Sequence, residues 1–364
     1  MRNLTIFASL ILFFLACKKN TPEDPNDLSA ISYTPQAYTF NVPKIWGQPN
    51  VPADNPMTIE GIELGRRLFY DPIFSRDSTI SCGSCHNTNG SFTDNKPISN
   101  GIEGRTGKRS SMALVNLAFN PKSFFWDGRA KTLEEQALLP IEDHTEMDEN
   151  WDNVVRKLQR HSEYTTRFRK AFGIAKKTEI TKELAVKAVA QFERSIISND
   201  SRFDKFIAGK IELTDDEQFG YEMFDNKTPT LPDAQCGHCH ATLNQQFTTN
   251  EFLNNGLQEA NTLDDFTDLG HGGVTKNKND NGKMRVPSLR NIALSAPYMH
   301  NGSLKTLEEV VDHYRSGGKY SPNKDPLIQQ IQLTNIQRKQ ILAFMKTLTD
   351  STFLKNEAYK NPFK

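Results

Sequence analysis

The pentapeptide Cys-x-x-Cys-His occurs twice in the 364-residue chain, as Cys82 to His86 and as Cys236 to His240, and it limits the available folds more than any other feature. A Cys-x-x-Cys pair alone is compatible with a dithiol redox motif or half a zinc site. The His that follows directly narrows the reading. Two thiols can add across the two vinyl groups of one porphyrin while the next residue turns back to bind its iron. The motifs therefore predict two covalently bound haem c groups, one at Cys82, Cys85 and His86 and one at Cys236, Cys239 and His240, with His86 and His240 as proximal iron ligands. The fifth cysteine, Cys17, stands apart from both pairs.

Cys17 closes a different signal. After Met1, Arg2 and Asn3 an apolar run extends from Leu4 to Ala16 and ends at Cys17, Lys18 and Lys19. This is the length of a secretory leader and falls short of the roughly 20 residues that span a bilayer. Leu15, Ala16 and Cys17 resemble the end of a bacterial lipobox, although Phe14 departs from the usual Leu. The expected location is an exported one, facing the periplasm and lipid-anchored at Cys17. With 44 basic and 44 acidic residues the formal charge is zero, which argues against nucleic acid as a partner and leaves a lipid anchor as the only membrane contact.

The length suggests two domains of roughly 150 residues each. Expected boundaries are a leader at 1–17, a tether and extended segment rich in Pro, Asn, Asp and Thr at 18–55, a first haem domain at 56–200, a second at 201–350 and a C-terminal tail at 351–364. A repeat supports the division. Gly65 to Phe69 precede Cys82 by much the same interval as Gly220 to Phe224 precede Cys236. Helices are expected at 133–139 stopping at Pro140, at 151–158, at 181–198, from Thr306 through Tyr314, and from Thr334 onward. Capping boxes pair Thr214 with Glu217, Thr306 with Glu309 and Thr334 with Gln337. The fold class is mainly α, two c-type cytochrome domains each built around one haem.

Function depends on what lies opposite each proximal His. In that respect the sequence resembles the bacterial dihaem cytochrome c peroxidase and MauG superfamily from about Gly65 to Leu348. The matching stretches are Leu64 to Phe69, Ser81 to His86, Phe125 to Ala130 (FWDGRA), Leu133 to Gln136, Pro140 to Met147 and Val286 to Gly302 (VPSLRNIALSAPYMHNG). The resemblance implies a peroxide-reactive first haem, an electron-accepting second haem and a Trp between them, here Trp126. It implies Glu146 as acid–base and Gln136 as hydrogen-bond partner for peroxide. Arg290 and His300, in the last stretch, are expected to hold haem propionates or order the interface.

Two departures from the family pattern shape the expectation. The loop that supplies a resting-state His to the first iron reads Ser99 to Arg105 here, with Ile102 at the His position, so the first haem is expected to be open at rest. Glu103 and His144 are the alternatives for that position. On the second haem the usual Met ligand is replaced by Tyr314, a MauG-like choice, with Met299 as the rival. A calcium ion between the domains would use the carbonyls of Ser295 and Pro297, but Ser110 replaces the expected Asn and weakens the site.

The resemblance thus implies a peroxidase reducing hydrogen peroxide to water with electrons from a small cytochrome or cupredoxin, and a homodimer is compatible with it. The alternatives are a MauG-like oxidase acting on a protein or organic substrate through high-valent iron, and a non-catalytic dihaem electron carrier.

Overall fold

A computed structural model describes residues 24–364. The leader and the lipobox Cys17 lie outside the described residues. Eight helices carry most of the architecture: α1 Ile59–Tyr70, α2 Leu133–Glu142, α3 Trp151–Arg160, α4 Ser162–Phe172, α5 Lys182–Ser195, α6 Asp215–Phe224, α7 Leu307–Ser316 and α8 Asn335–Thr347. The only sheet among the described residues is a two-stranded ribbon, β1 Phe252–Leu253 against β2 Met284–Arg285, antiparallel with Phe252 opposite Arg285. The chain is mainly α. None of the described helices is long and apolar enough to cross a membrane.

Local sequence explains most helix starts. Thr58, Thr132, Thr181, Thr214, Thr306 and Thr334 each sit at an N-cap, where the side chain accepts a backbone N–H that the helix leaves open. The boxes at Thr214 with Glu217 and Thr334 with Gln337 are both complete. Gly317, at φ 79°, closes α7 in the left-handed conformation that glycine tolerates best. One expected stop fails. The helix at 133 runs through Pro140 to Glu142, because the proline removes only the N–H for the Gln136 carbonyl, and the Asp143 N–H still closes on Leu139 O at 3.2 Å.

The two halves are built on the same crossing. In the first, Gly65 on α1 meets α5 so closely that a Cβ would lie 1.8 Å from Ala188 O and 3.0 Å from the Phe192 Cβ. In the second, Gly220 on α6 meets α8, and a Cβ would lie 2.0 Å from Gln340 O and 2.9 Å from the Phe344 Cβ. The aromatic pairs repeat as well: Phe69 with Phe192 at 5.2 Å between ring centroids, Phe224 with Phe344 at 5.0 Å. Only glycine lets the backbones approach this far.

The correspondence continues beyond the helices. Asn116 and Asn291 are both left-handed, at φ 57° and 59°, and their N–H groups take the carbonyls of Ile196 and Leu348. The turns that follow close alike, Phe124 N–H on Ala130 O at 2.8 Å and Tyr298 N–H on Leu304 O at 2.6 Å. Phe125 and Met299 hold matching positive φ angles of 66° and 71°.

Both flanking segments are anchored, contrary to the expectation of a tether and a tail. Leu28 is buried in the first core with its N–H on Ala175 O, and Trp46 donates to Gln245 Oε1 of the second half at 2.9 Å. Phe353 and Tyr359 return to the first core, where Tyr70 donates its hydroxyl to Tyr359 O. These aromatic side chains bury apolar surface that a solvated segment would leave in water.

Candidate functional site

Each Cys-x-x-Cys-His motif ends with a His ring aimed by the main chain. His86 Nδ1–H donates to Phe92 O at 2.8 Å and His240 Nδ1–H to Phe247 O at 3.0 Å. A carbonyl can only accept, so the proton is fixed on Nδ1 and Nε2 is left as the metal-binding lone pair. Loss of solvent pulls both imidazoles down, His240 to about 4, which keeps each ring neutral as an iron ligand must be. The thiols move the other way. Burial pushes Cys236 up to about 12 and Cys85 and Cys239 to about 11, which sets them apart from reactive dithiol motifs.

A cavity of about 250 Å³ runs from the second motif to the junction of the halves, lined by His240, Cys236, Tyr314, Met299 and Met345 and, from the first half, by Trp126. Tyr314 and Met299 converge on one amide. Asn255 Nδ2 lies 3.3 Å from Tyr314 Oη and 3.4 Å from Met299 Sδ. Burial raises the phenol to about 12. The pocket and the aimed His240 fit a haem with Tyr314 or Met299 on its far side.

Opposite the first motif the chain offers a carboxyl instead. After α2 the segment folds back along the helix, with Met147 N–H on Pro140 O and Glu149 N–H on Ile141 O, and this returns Glu146 toward the helix that carries Gln136. The Glu146 carboxylate acts through space on both Cys82 and Cys85, which places it beside the first haem motif. Burial, reinforced by the Asp143 carboxylate and opposed by Arg129, raises it to about 7. A carboxyl that shares its proton near neutrality is suited to acid–base work.

The loop beside it is fixed. Ile102 is fully buried and its N–H bonds Glu146 O at 2.8 Å, while a Cβ at Gly101 would lie 2.0 Å from Thr145 O. Glu103 is turned outward into a four-charge network: Arg76 and Arg105 each reach it at 2.5 Å, and Asp148 at 3.1 and 2.9 Å. Its side chain is 53% exposed and that of His144 79%. Neither alternative ligand points inward.

Between the halves the main chain forms a reciprocal pair. Ser110 N–H donates to His300 O at 2.7 Å, and Arg285 N–H donates to Trp126 O at 2.8 Å. The repeat makes Trp126 and His300 counterparts, and their rings meet edge to face with centroids 6.4 Å apart. Trp126 Nε1–H is held by Ser110 O at 3.0 Å. Around them Arg109 bridges Asp127 at 2.6 Å and Asp268 at 2.7 Å, with His300 Nε2 3.9 Å from Asp268.

Arg290 was expected to hold a propionate or order the interface, and its bonds stay within the second half. Its guanidinium forms a bidentate pair with Asp204 at 2.8 and 2.9 Å and donates to Gln245 O, so it orders the loop after His240 and is not directed at a propionate. The residue that sequence reading missed is Arg285. It is 6% exposed, bonds the neutral Asn250 at 2.9 Å and has no carboxylate partner among the described residues, and burial lowers it to about 10. A buried guanidinium facing the cavity without an anion fits a haem propionate.

Ser295 and Pro297 lie on the cavity wall, but the surrounding oxygens are neutral. Asn95 donates to the intervening carbonyls of Leu294 and Ala296 at 2.8 Å each, and Ser110 Oγ donates to Met299 O. This set matches poorly the six to eight oxygens that calcium takes.

Two crossed-helix halves, each presenting a main-chain-oriented His beside paired cysteines, define a di-haem cytochrome. A family model for di-haem cytochrome c peroxidase matches residues 59–212. The methylamine utilization protein MauG of Methylophilus methylotrophus is 30% identical over 343 residues, 92% of this chain and 97% of that protein. The cytochrome c551 peroxidase of Nitrosomonas europaea is 33% identical over 306 residues, 82% of this chain and 83% of that protein. A solved structure of a MauG-like protein associated with microbial copper homeostasis superposes with a TM-score of 0.82 at 33% identity, over 90% of this chain and 100% of that one. The chain belongs to the di-haem cytochrome c peroxidase family, which includes MauG.

Proposed function

We propose that the protein is a peroxidase that reduces hydrogen peroxide to two waters, using two protons and two electrons from a small cytochrome or cupredoxin. The observation that carries this reading is Glu146: a carboxyl raised to about 7 beside Cys82 and Cys85, bonded through its own carbonyl to the N–H of the buried Ile102. Haem, attached covalently at each motif, supplies an iron that peroxide can reach in the first half and an electron-relaying iron in the second. Glu146 takes a proton from peroxide and returns it to the oxygen that departs as water, with the Gln136 amide as hydrogen-bond partner. Trp126, held by Ser110 between the halves, lies on the path for electrons entering from the second half. The signal peptide and lipid anchor at Cys17 belong to the same reading, which places the enzyme outside the inner membrane. Calcium has no step in it.

Electron paramagnetic resonance of the ferric protein as isolated tests the asymmetry. A high-spin first haem and peroxide consumption without prior reduction are expected; two low-spin haems, with activity only after half-reduction, would overturn the open first site. A second reading, a MauG-like oxidase of a protein or organic substrate, is favoured by Tyr314 lying over the second cavity. An anionic phenolate lowers the potential of the iron it binds, so the second haem could share oxidising equivalents. Turnover with peroxide but no reduced donor, leaving an oxidised organic product, would select it.

A further inference from the structure

Glu193, on α5, is 3% exposed, and its Oε2 is sealed from solvent without a hydrogen-bond partner. The adjacent Arg194 does not neutralise it, because that guanidinium is held by Glu134 of α2 at 2.7 and 2.9 Å. Burial raises Glu193 to about 8, opposed by Arg194 and reinforced by the Glu134 carboxylate. From α1 the nearby titratable group is Tyr70, whose hydroxyl is committed to Tyr359 O. Glu193 in turn acts through space on the Cys82 thiol.

The internal repeat says what Glu193 faces. Phe192 packs on Gly65 and Phe69 as Phe344 packs on Gly220 and Phe224, so Glu193 corresponds to Met345. Met345 lines the second cavity together with Cys236, His240 and Tyr314. Where the second half sets a thioether against its haem, the first sets an unpaired carboxyl. An unpaired carboxylate in a dry site is unfavourable unless a positive charge lies close by. The iron–porphyrin core of a ferric haem with a neutral axial His would carry one positive charge, which reduction removes.

We propose that Glu193 is the redox-linked proton site of the first haem: one electron delivered to that iron by an external one-electron donor protein is matched by one proton added from solvent to a Glu193 carboxylate oxygen, with no other bond made or broken. This rests on the di-haem reading above but not on peroxide turnover.

The test is a spectroelectrochemical titration of each haem in the full holo-protein at several pH values, with no peroxide present. In the unmodified protein the reduction equilibrium constant of the first haem should change about tenfold per pH unit across the neutral range, one proton per electron. Glu193→Gln should flatten that dependence and leave the second haem unchanged, while Glu193→Asp should keep it at a displaced pH. Should Glu193→Gln fail to retain haem, Glu193→Met, which copies the second half, replaces it. A slope that persists without the carboxyl, or that vanishes in Glu146→Gln instead, overturns the proposal. Absence of peroxide consumption in the unmodified protein would remove the peroxidase reading and leave this titration to stand or fall alone.

Discussion

The first and second halves share a helix crossing, an asparagine turn and a His aimed by a carbonyl, yet they set opposite chemistry near their Cys-x-x-Cys-His motifs. The first presents the carboxyls Glu146 and Glu193 and a buried Ile102, and the second presents Tyr314, Met299 and Met345. The frame that places a haem is therefore separable from the residues that decide what the haem does. In the proposed function, activity belongs to the positions where the repeat breaks.

Removing the acid–base group should break the comparison most. Glu146→Gln is expected to lower kcat/KM for peroxide by about 10²- to 10⁴-fold, measured by stopped flow. Because Glu146 holds its proton up to about 7 and must be ionised to accept one, kcat/KM of the unmodified enzyme should rise with pH through about 7, and the variant should lose that limb. Ile102→His would give the first half a ligand. Activity as isolated should drop by about tenfold or more and return on partial reduction, and unchanged turnover would show that position 102 does not reach the iron.

In the second half, Tyr314→Phe should convert a low-spin haem signal to a high-spin one, whereas an unaltered spectrum would move the ligand to Met299. Gly65→Ala and Gly220→Ala test the shared frame. Each Cβ would press on a backbone carbonyl, so thermal unfolding should show a loss of about 1–3 kcal/mol, similar in the two. The smallest effect is expected from a calcium chelator, which should leave both haem spectra and turnover unchanged.

Much of this was legible in the sequence. The haem motifs, the glycine repeat and the Thr-led caps are local signals, and local signals survive without coordinates. What failed depends on distant partners. Helix α4 lacks a strong cap, since His161 offers no side-chain bond at its start, and it was not expected. Arg290 and Arg285 look alike in sequence; Asp204, 86 residues away, gives the first a carboxylate partner, while the second bonds only neutral groups among the described residues. Glu193 reads as an ordinary polar break in an apolar helix until its burial and the matching Met345 are seen.

Among the bonds that join the halves, Ser110 N–H to His300 O and Arg285 N–H to Trp126 O use main-chain atoms at both ends. Every residue except proline can make them. The aromatic and imidazole rings at the junction can therefore change without removing either contact. A substitution at Trp126 would then test the proposed relay with these backbone contacts still in place.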